Sequence, residues 1–375
     1  MHIRTAVFIV LLSVATIFLG RWYFIHKPHQ VIIQQAMPEK TTIPLPVPPS
    51  AEIVGKLLLA PLDVSTGAAS ESAVLQFVQD NALAGITVFG ESISTQSAAR
   101  VKEAIAAIDT TLIIATDHEG GTVQRYAGKG FTRLPSWRQQ CELSSEERRR
   151  MLKQSAQELS QYGVNVVFAP VLDLSEKKSI LASRTCSADP LLTAEAARDY
   201  ISIFSAEKIL PVLKHYPGIG AATVDLHTEL DALSDTPTEL PLFKSLAEFQ
   251  PTPGIMTAHI LVKKISEDAP CSLSPLCLVS VRENAPKSIV FTDALEMLSA
   301  RYNIADPQQP LSLAQVALKA VYAGNTVLVF GKGITPSELE VVLKTLKKEY
   351  TEHATFREKV MESLALLETL QKTLP

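Results

Sequence analysis

Cysteine is scarce in this chain, with four in 375 residues, at positions 141, 186, 271 and 277. That set fits neither the paired spacing of a structural zinc site nor the density of a disulfide-held miniprotein. Cys271 and Cys277 lie close enough in sequence to pair if the body is exported, and the sequence leaves their state open. Excess positive charge is also missing. The net charge is −4 with no long basic run, which excludes the electrostatic footprint of a nucleic-acid binder. No Gly-x-Gly-x-x-Gly follows any strand-like run, so the main sign of a dinucleotide-binding fold is absent. There is no internal repeat and no second domain boundary.

What is present is ordinary globular material, 46% hydrophobic and 20% charged, enough for one large domain or two smaller ones. The N-terminus departs from it. Residues 5–20 carry no charge, and Arg21, Trp22 and Tyr23 follow like an interfacial belt. Residues 1–25 therefore read as an uncleaved signal-anchor or transmembrane segment, with the N-terminus in the cytoplasm and the body exported. A cleaved signal is the rival, with Ser13-Val-Ala15 as its small-residue site, but cleavage there leaves a still-apolar start. A buried soluble helix is disfavoured because no polar second face exists. Residues 26–50 hold six prolines among polar residues, an extended linker ahead of a body at 51–375.

Within the body, short apolar runs at 56–62, 85–89, 112–116, 165–172, 210–213, 254–258, 288–292 and 326–330 read as buried strands. Amphipathic helical patterns at 70–81, 95–108, 145–162, 193–208, 240–248 and 311–321 separate most of them, and 336–374 reads as two further surface helices. Eight buried strands interleaved with helices predict an α/β fold, a TIM-like (β/α)8 barrel, with a doubly wound open sheet as the runner-up. Asp117, Asp173, Lys214, His215, His259 and Asp293 each stand just past an apolar run. In a parallel barrel these positions converge on one rim, although any one Asp there also suits a helix N-cap.

The most telling stretch is Lys214-His-Tyr-Pro-Gly-Ile-Gly220, which opens into a loop of small residues carrying Asp225 and His227. A carboxylate two residues from an imidazole suits proton transfer, because Asp can orient His and hold it near neutrality. Two solvated loop side chains are the plainer reading. A His-Asp metal site is disfavoured, since His215 and His227 lack the short helical spacing of a zinc pair; no metal or other cofactor is called for. A second motif, Asp117-His-Glu-Gly-Gly-Thr-Val-Gln-Arg125, pairs two glycines with an Asp and an Arg able to grip sugar hydroxyls; alone it would also suit a strand-end turn with a surface ion pair.

With Phe168-Ala-Pro-Val-Leu-Asp173, the Arg184 to Asp189-Pro190 segment and Thr292-Asp-Ala-Leu-Glu-Met297, these stretches resemble glycoside hydrolase family 3, specifically its bacterial β-N-acetylglucosaminidase branch. The resemblance covers 53–329 and implies a TIM-like barrel. It implies Asp293 as the nucleophile of a retaining mechanism, His227 as the general acid/base and Asp225 as its orienting partner. Asp117, Arg125, Arg184, Lys214 and His215 would hold the terminal sugar, with Asp173 and His259 behind them. The implied partner is an amino-sugar glycan such as a peptidoglycan fragment or chitooligosaccharide, acted on by a monomer. The pattern departs at Ile219, Ala221 and Leu226, where the family usually has His, an acidic residue and Ser, and Arg184-Thr-Cys-Ser187 replaces Arg-Ser-Phe-Gly. Those losses bear on loop closure and substrate range. They keep two alternatives open: a phosphorylase, in which phosphate replaces water, and a glycan-binding module whose catalysis has decayed.

Overall fold

The computed structural model describes residues 49–375 apart from 109–110, 177–178, 264, 267 and 372–375. The expected anchor at 1–25 and nearly all of the linker at 26–50 lie outside the described residues. Among the described residues no helix is long and apolar enough to cross a membrane.

Eight parallel strands form one sheet: β1 (Leu58–Asp63), β2 (Gly85–Phe89), β3 (Ile113–Thr116), β4 (Val166–Val167), β5 (Leu210–Tyr216), β6 (Gly254–Thr257), β7 (Val290–Thr292) and β8 (Leu328–Val329). Spatial order follows chain order from β1 to β7, and β8 returns to pair with β1. A parallel bridge between Phe291 and Val327 joins the remaining ends, so the sheet curls into a nearly closed barrel. Nearly every strand residue is buried, because the barrel interior covers one face and the helices cover the other.

All eight expected strands are present, 85–89 with the bounds expected and the others with altered ones. The run at 165–172 keeps regular pairing only at β4, since Pro170 offers no N–H to the ladder. Pairing then resumes irregularly, with Leu172 N–H donating to the Lys214 carbonyl at 2.7 Å.

The expected helices are α1 (Ala68–Asp80), α2 (Thr95–Ala106), α4 (Ser145–Gln161), α5 (Pro190–Ala206), α6 (Leu240–Ala247), α9 (Leu313–Ala323), α10 (Pro336–Glu352) and α11 (Ala354–Gln371). Their starts follow capping chemistry: Ser144 with Glu147, Ser312 with Gln315 and Thr335 with Glu338 each close a capping box. Helix α5 begins earlier than the periodicity suggests because Asp189 caps it and Pro190 takes the first helical position. Three short helices have no counterpart in the sequence reading: α3 (Trp137–Glu142), α7 (Pro275–Asn284) and α8 (Leu298–Arg301). The backbone after Asp293 does not open a helix; its carboxylate accepts the next amide, from Ala294, at 2.8 Å.

Two disulfides form, Cys141–Cys186 and Cys271–Cys277, spanning 45 and 6 positions. The first ties α3 to the segment just after Arg184. Beside it, Trp137 donates its indole N–H to the Val171 carbonyl at 2.9 Å, and the Tyr200 hydroxyl donates to the His118 carbonyl at 2.7 Å. The second bond ties the antiparallel pair His118–Gly120 and Val123–Gln124, which follows β3, to α5.

Candidate active site

The carboxyl ends of the strands open into a cavity of about 610 Å³. Asp117, Arg125, Arg184, Lys214, His215, Asp225, His227 and Asp293 all line it, so the structure brings every sequence-selected catalytic and sugar-binding residue to one place. The topology explains this, since Lys214 and His215 stand at the carboxyl end of β5 and the others follow, or lie on the loop after, a strand of the same parallel sheet.

A buried ion cluster makes one wall. Lys214, from the end of β5, donates to Asp117 at 3.0 Å and to Glu119 at 2.7 Å. Arg125 reaches the other Asp117 oxygen at 2.8 Å, and Arg184 grips Glu119 with two bonds of 2.9 Å. Burial alone would raise both carboxyls. Lys214 and Arg125 hold Asp117 far below the usual carboxylate range, and Arg184 and Lys214 hold Glu119 below it. The carboxylates in turn push Lys214 and Arg184 upward against their own burial, so the cluster stays fully charged. Free valences remain for a ligand: the third ammonium N–H of Lys214, the Nη1 edge of Arg184 and spare lone pairs on Asp117.

The floor is Asp293, just past β7. Burial would raise its carboxyl, but His215, His259, the Ala294 amide and Lys214 together bring it below the ordinary value. Among the described residues no Lys or Arg makes an ion pair with this ionised carboxylate. His215 is held by Asp173 through Nδ1 at 2.7 Å, and a carboxylate acceptor there makes Nδ1 the donor and leaves Nε2 free. His259 is buried behind the floor, bonded to Ser272 at 2.6 Å and to the Ala294 carbonyl at 3.0 Å, and burial pushes its pKa down. Asp173 and His259 therefore support the site from behind and do not line the cavity.

Asp225 and His227 differ in kind. They are 64% and 66% exposed, which places them on a loop at the mouth rather than in the barrel. Asp225 accepts both the His227 amide at 3.0 Å and Nδ1 at 2.8 Å, and those bonds lower its pKa. With Nδ1 committed to a carboxylate, Nε2 is the ring atom able to exchange a proton with a ligand. The loop docks through apolar residues: Ile219, Ala222 and Leu226 pack with Leu181 and Met297. The departures at Ile219 and Leu226 thus exchange polar partners for burial.

Glu119 and Glu296 escaped the sequence reading. Glu119 lay inside a quoted motif, but its role depends on Arg184, 65 positions away. Glu296 lines the cavity and accepts the Gly331 amide at 2.8 Å; burial raises its carboxyl. His118, by contrast, points into the core, bonds Ser155 at 2.7 Å, and is pushed by burial down to about 3, so it stays neutral. Among the described residues no group of three or more His, Cys, Asp or Glu side chains is arranged to hold a metal ion.

The ion cluster sets an acid limit on stability. Asp117 and Glu119 have folded pKa values below their ordinary 3.8 and 4.5, so they stabilise the fold above those values. That contribution drains as pH falls through the lowered values. The melting temperature is therefore expected to drop steeply below about pH 4, the carboxylate range. A melting temperature level from pH 6 to pH 3 would contradict the assignment.

Residues 53–365 match the profile described as "Glycosyl hydrolase family 3 N terminal domain". A protein of Nitrosomonas eutropha named beta-hexosaminidase is 31% identical over 77% of this chain and 86% of its own length. One of Tolumonas auensis, also named beta-hexosaminidase, is 29% identical over 69% of this chain and 79% of its own. Among solved structures, a beta-N-acetylhexosaminidase from Beutenbergia cavernae superposes with a TM-score of 0.75 at 21% identity, over 86% of this chain and 98% of that one. The beta-N-acetylglucosaminidase from Thermotoga maritima gives 0.71 at 22% identity, over 86% and 67%. These two likenesses establish the shared fold.

Proposed function

The chain belongs to glycosyl hydrolase family 3, and from that premise we propose that it is a retaining, exo-acting β-N-acetylhexosaminidase. Its substrate would be terminal β-linked N-acetylglucosamine on peptidoglycan fragments or chitooligosaccharides. The observation that carries the reading is the pairing within one cavity of a half-buried, ionised Asp293 with an exposed Asp225–His227 couple.

The chemistry follows from those positions. Asp293 attacks the anomeric carbon while the glycosidic C–O bond breaks, and protonated His227 gives its Nε2 proton to the leaving oxygen. The now neutral imidazole takes a proton from water, whose oxygen displaces Asp293 from the anomeric carbon. Two displacements at one carbon retain its configuration. Asp225 holds Nδ1 and stabilises the imidazolium when it forms. Lys214, Arg184, Arg125, Asp117 and His215 fix the sugar through charge-assisted hydrogen bonds to its hydroxyls, which suits a neutral ligand.

We also propose that the body is exported and tethered by the apolar segment at 1–25. Two disulfides support an oxidising compartment, because such bonds persist outside the cytosol. The decisive assay is turnover of 4-nitrophenyl β-N-acetylglucosaminide, with product analysis in the presence and absence of phosphate. Release of free N-acetylglucosamine, first as the β-anomer, is expected in both. N-acetylglucosamine 1-phosphate would make the protein a phosphorylase, and saturable glycan binding with no turnover would make it a binding module.

A further inference from the structure

Glu239 is a buried carboxyl on the far side of the loop from the cavity, 4% exposed, and it does not line the site. It stands at the N-cap of α6, yet its side chain makes no capping bond there. Its Oε1 instead accepts two amides from separate segments: Leu174 at 3.1 Å and Gly220 at 3.2 Å. The neighbouring amide, Ile219, goes to Asp173 at 2.9 Å. Consecutive N–H groups at the root of the loop are thus hung on two different carboxylates. One of them, Asp173, also orients His215.

Two glycines let the backbone come this close. A Cβ on Gly218 would lie 2.5 Å from the Glu239 carboxyl carbon, and one on Gly220 would meet the Leu174 carbonyl oxygen at 1.9 Å and Glu239 Oε1 at 2.6 Å. Gly218 also has φ of +127°, which a side chain would strain. The backbone therefore wraps closely around this carboxyl, and five residues past Gly220 the same chain presents Asp225. A carboxyl buried beside Asp173 carries a cost, seen as a raised pKa from burial and from that neighbour. It is a costly group to keep for packing alone.

We infer that Glu239 is a positioning residue: it fixes the point at which the loop bearing Asp225 and His227 leaves the barrel, and so sets the reach of His227 into the cavity. The inference rests on the proposed hydrolysis for its kinetic readout, and on hydrogen exchange for one independent of it.

The test compares Glu239→Ala with Glu239→Gln, whose amide oxygen can occupy the Oε1 position and accept both amides. A 4-nitrophenolate departs with little protonation, whereas the sugar alkoxide of N,N′-diacetylchitobiose needs the proton from His227. A misplaced His227 therefore penalises the disaccharide more. Glu239→Ala is expected to lose about 10-fold in kcat on the nitrophenyl substrate and about 100-fold on the disaccharide, the second at the lower end of what general acid catalysis contributes. KM should change little. Azide should then speed turnover of the nitrophenyl substrate by this variant. Its nitrogen attacks the anomeric carbon of the Asp293 ester, the carboxylate departs, and no base is needed, so the β-glycosyl azide results. Glu239→Gln should restore both activities to within about threefold. Peptides spanning 218–231 should exchange amide hydrogens faster in the Ala variant than in the Gln variant, with the barrel strands unchanged. Equal losses on both substrates with no azide effect, or unchanged exchange at 218–231, would overturn the inference. If Glu239→Ala does not fold, Glu239→Asp, which retracts the carboxyl by one methylene, is read the same way. A wild type inactive on both substrates would sink the hydrolase reading instead, and the exchange comparison would still decide the role of Glu239.

Discussion

Replacing Asp293 with alanine is expected to lower kcat on 4-nitrophenyl β-N-acetylglucosaminide by at least about 10⁴-fold, equivalent to about 5.4 kcal/mol of transition-state stabilisation. The size follows from what is removed. Asp293 is held ionised at the floor by His215, His259 and Lys214, whereas the other lining carboxylates with lowered pKa values are committed elsewhere, Asp117 to Lys214 and Arg125 and Asp225 to His227. Glu296 lines the wall three positions on, but burial raises its carboxyl, which makes it the poorer nucleophile. KM should move much less, because the proposed sugar contacts come from Asp117, Lys214 and Arg184. Azide placed in the vacated space should restore part of the rate and give the α-configured glycosyl azide, the opposite anomer to that expected when only His227 is misplaced. The two anomers separate loss of the floor from loss of the loop in one product assay. Turnover within tenfold of wild type would remove Asp293 from the mechanism.

Glu119→Gln should have the largest effect on folding. Glu119 is 1% exposed and answers two cations at once, Lys214 at 2.7 Å and Arg184 at 2.9 Å. Neutralising it leaves Lys214, Arg184 and Arg125 facing Asp117 alone, three positive charges against one in a poorly solvated wall. Removing one partner of a buried pair costs about 3–5 kcal/mol, far more than an exposed pair would contribute. The melting temperature should fall by about 5–15 °C. Arg184 also loses the carboxylate that aims it, so KM should rise by about tenfold or more, in line with a charged hydrogen bond misplaced. Differential scanning calorimetry and initial rates measure the two separately. A variant that melts with wild type would show that the cluster is solvated rather than buried.

The strands were legible because each is a short apolar run, and the rim residues were legible because each directly follows one. Nothing in that logic depends on distance along the chain. The misses share a different character. Glu119 is defined by Arg184 65 positions on, and Glu239 by Gly220 and Leu174 across 19 and 65 positions. The Cys141–Cys186 bond joins residues 45 apart. Local pattern carries no information about such pairings. Helix α7 went unread although Ser274 and Pro275 form a cap followed by a first-position proline, a signal the sequence does contain. The apolar run at 165–172 overstates β4, because Pro170 within it cannot donate to the ladder.

The division of labour between a rigid base and an outlying arm has a practical corollary. Asp293 and its imidazole surround are built into the barrel, whereas Asp225 and His227 ride on a stretch fastened by a few apolar side chains and two carboxylates. On the proposed mechanism, proton delivery is thereby separable from bond-making. A directed-evolution library confined to 219–231 is expected to retune acceptor preference, water against alcohol or phosphate, while the wall and the carboxylate proposed to hold and attack the sugar remain as they are.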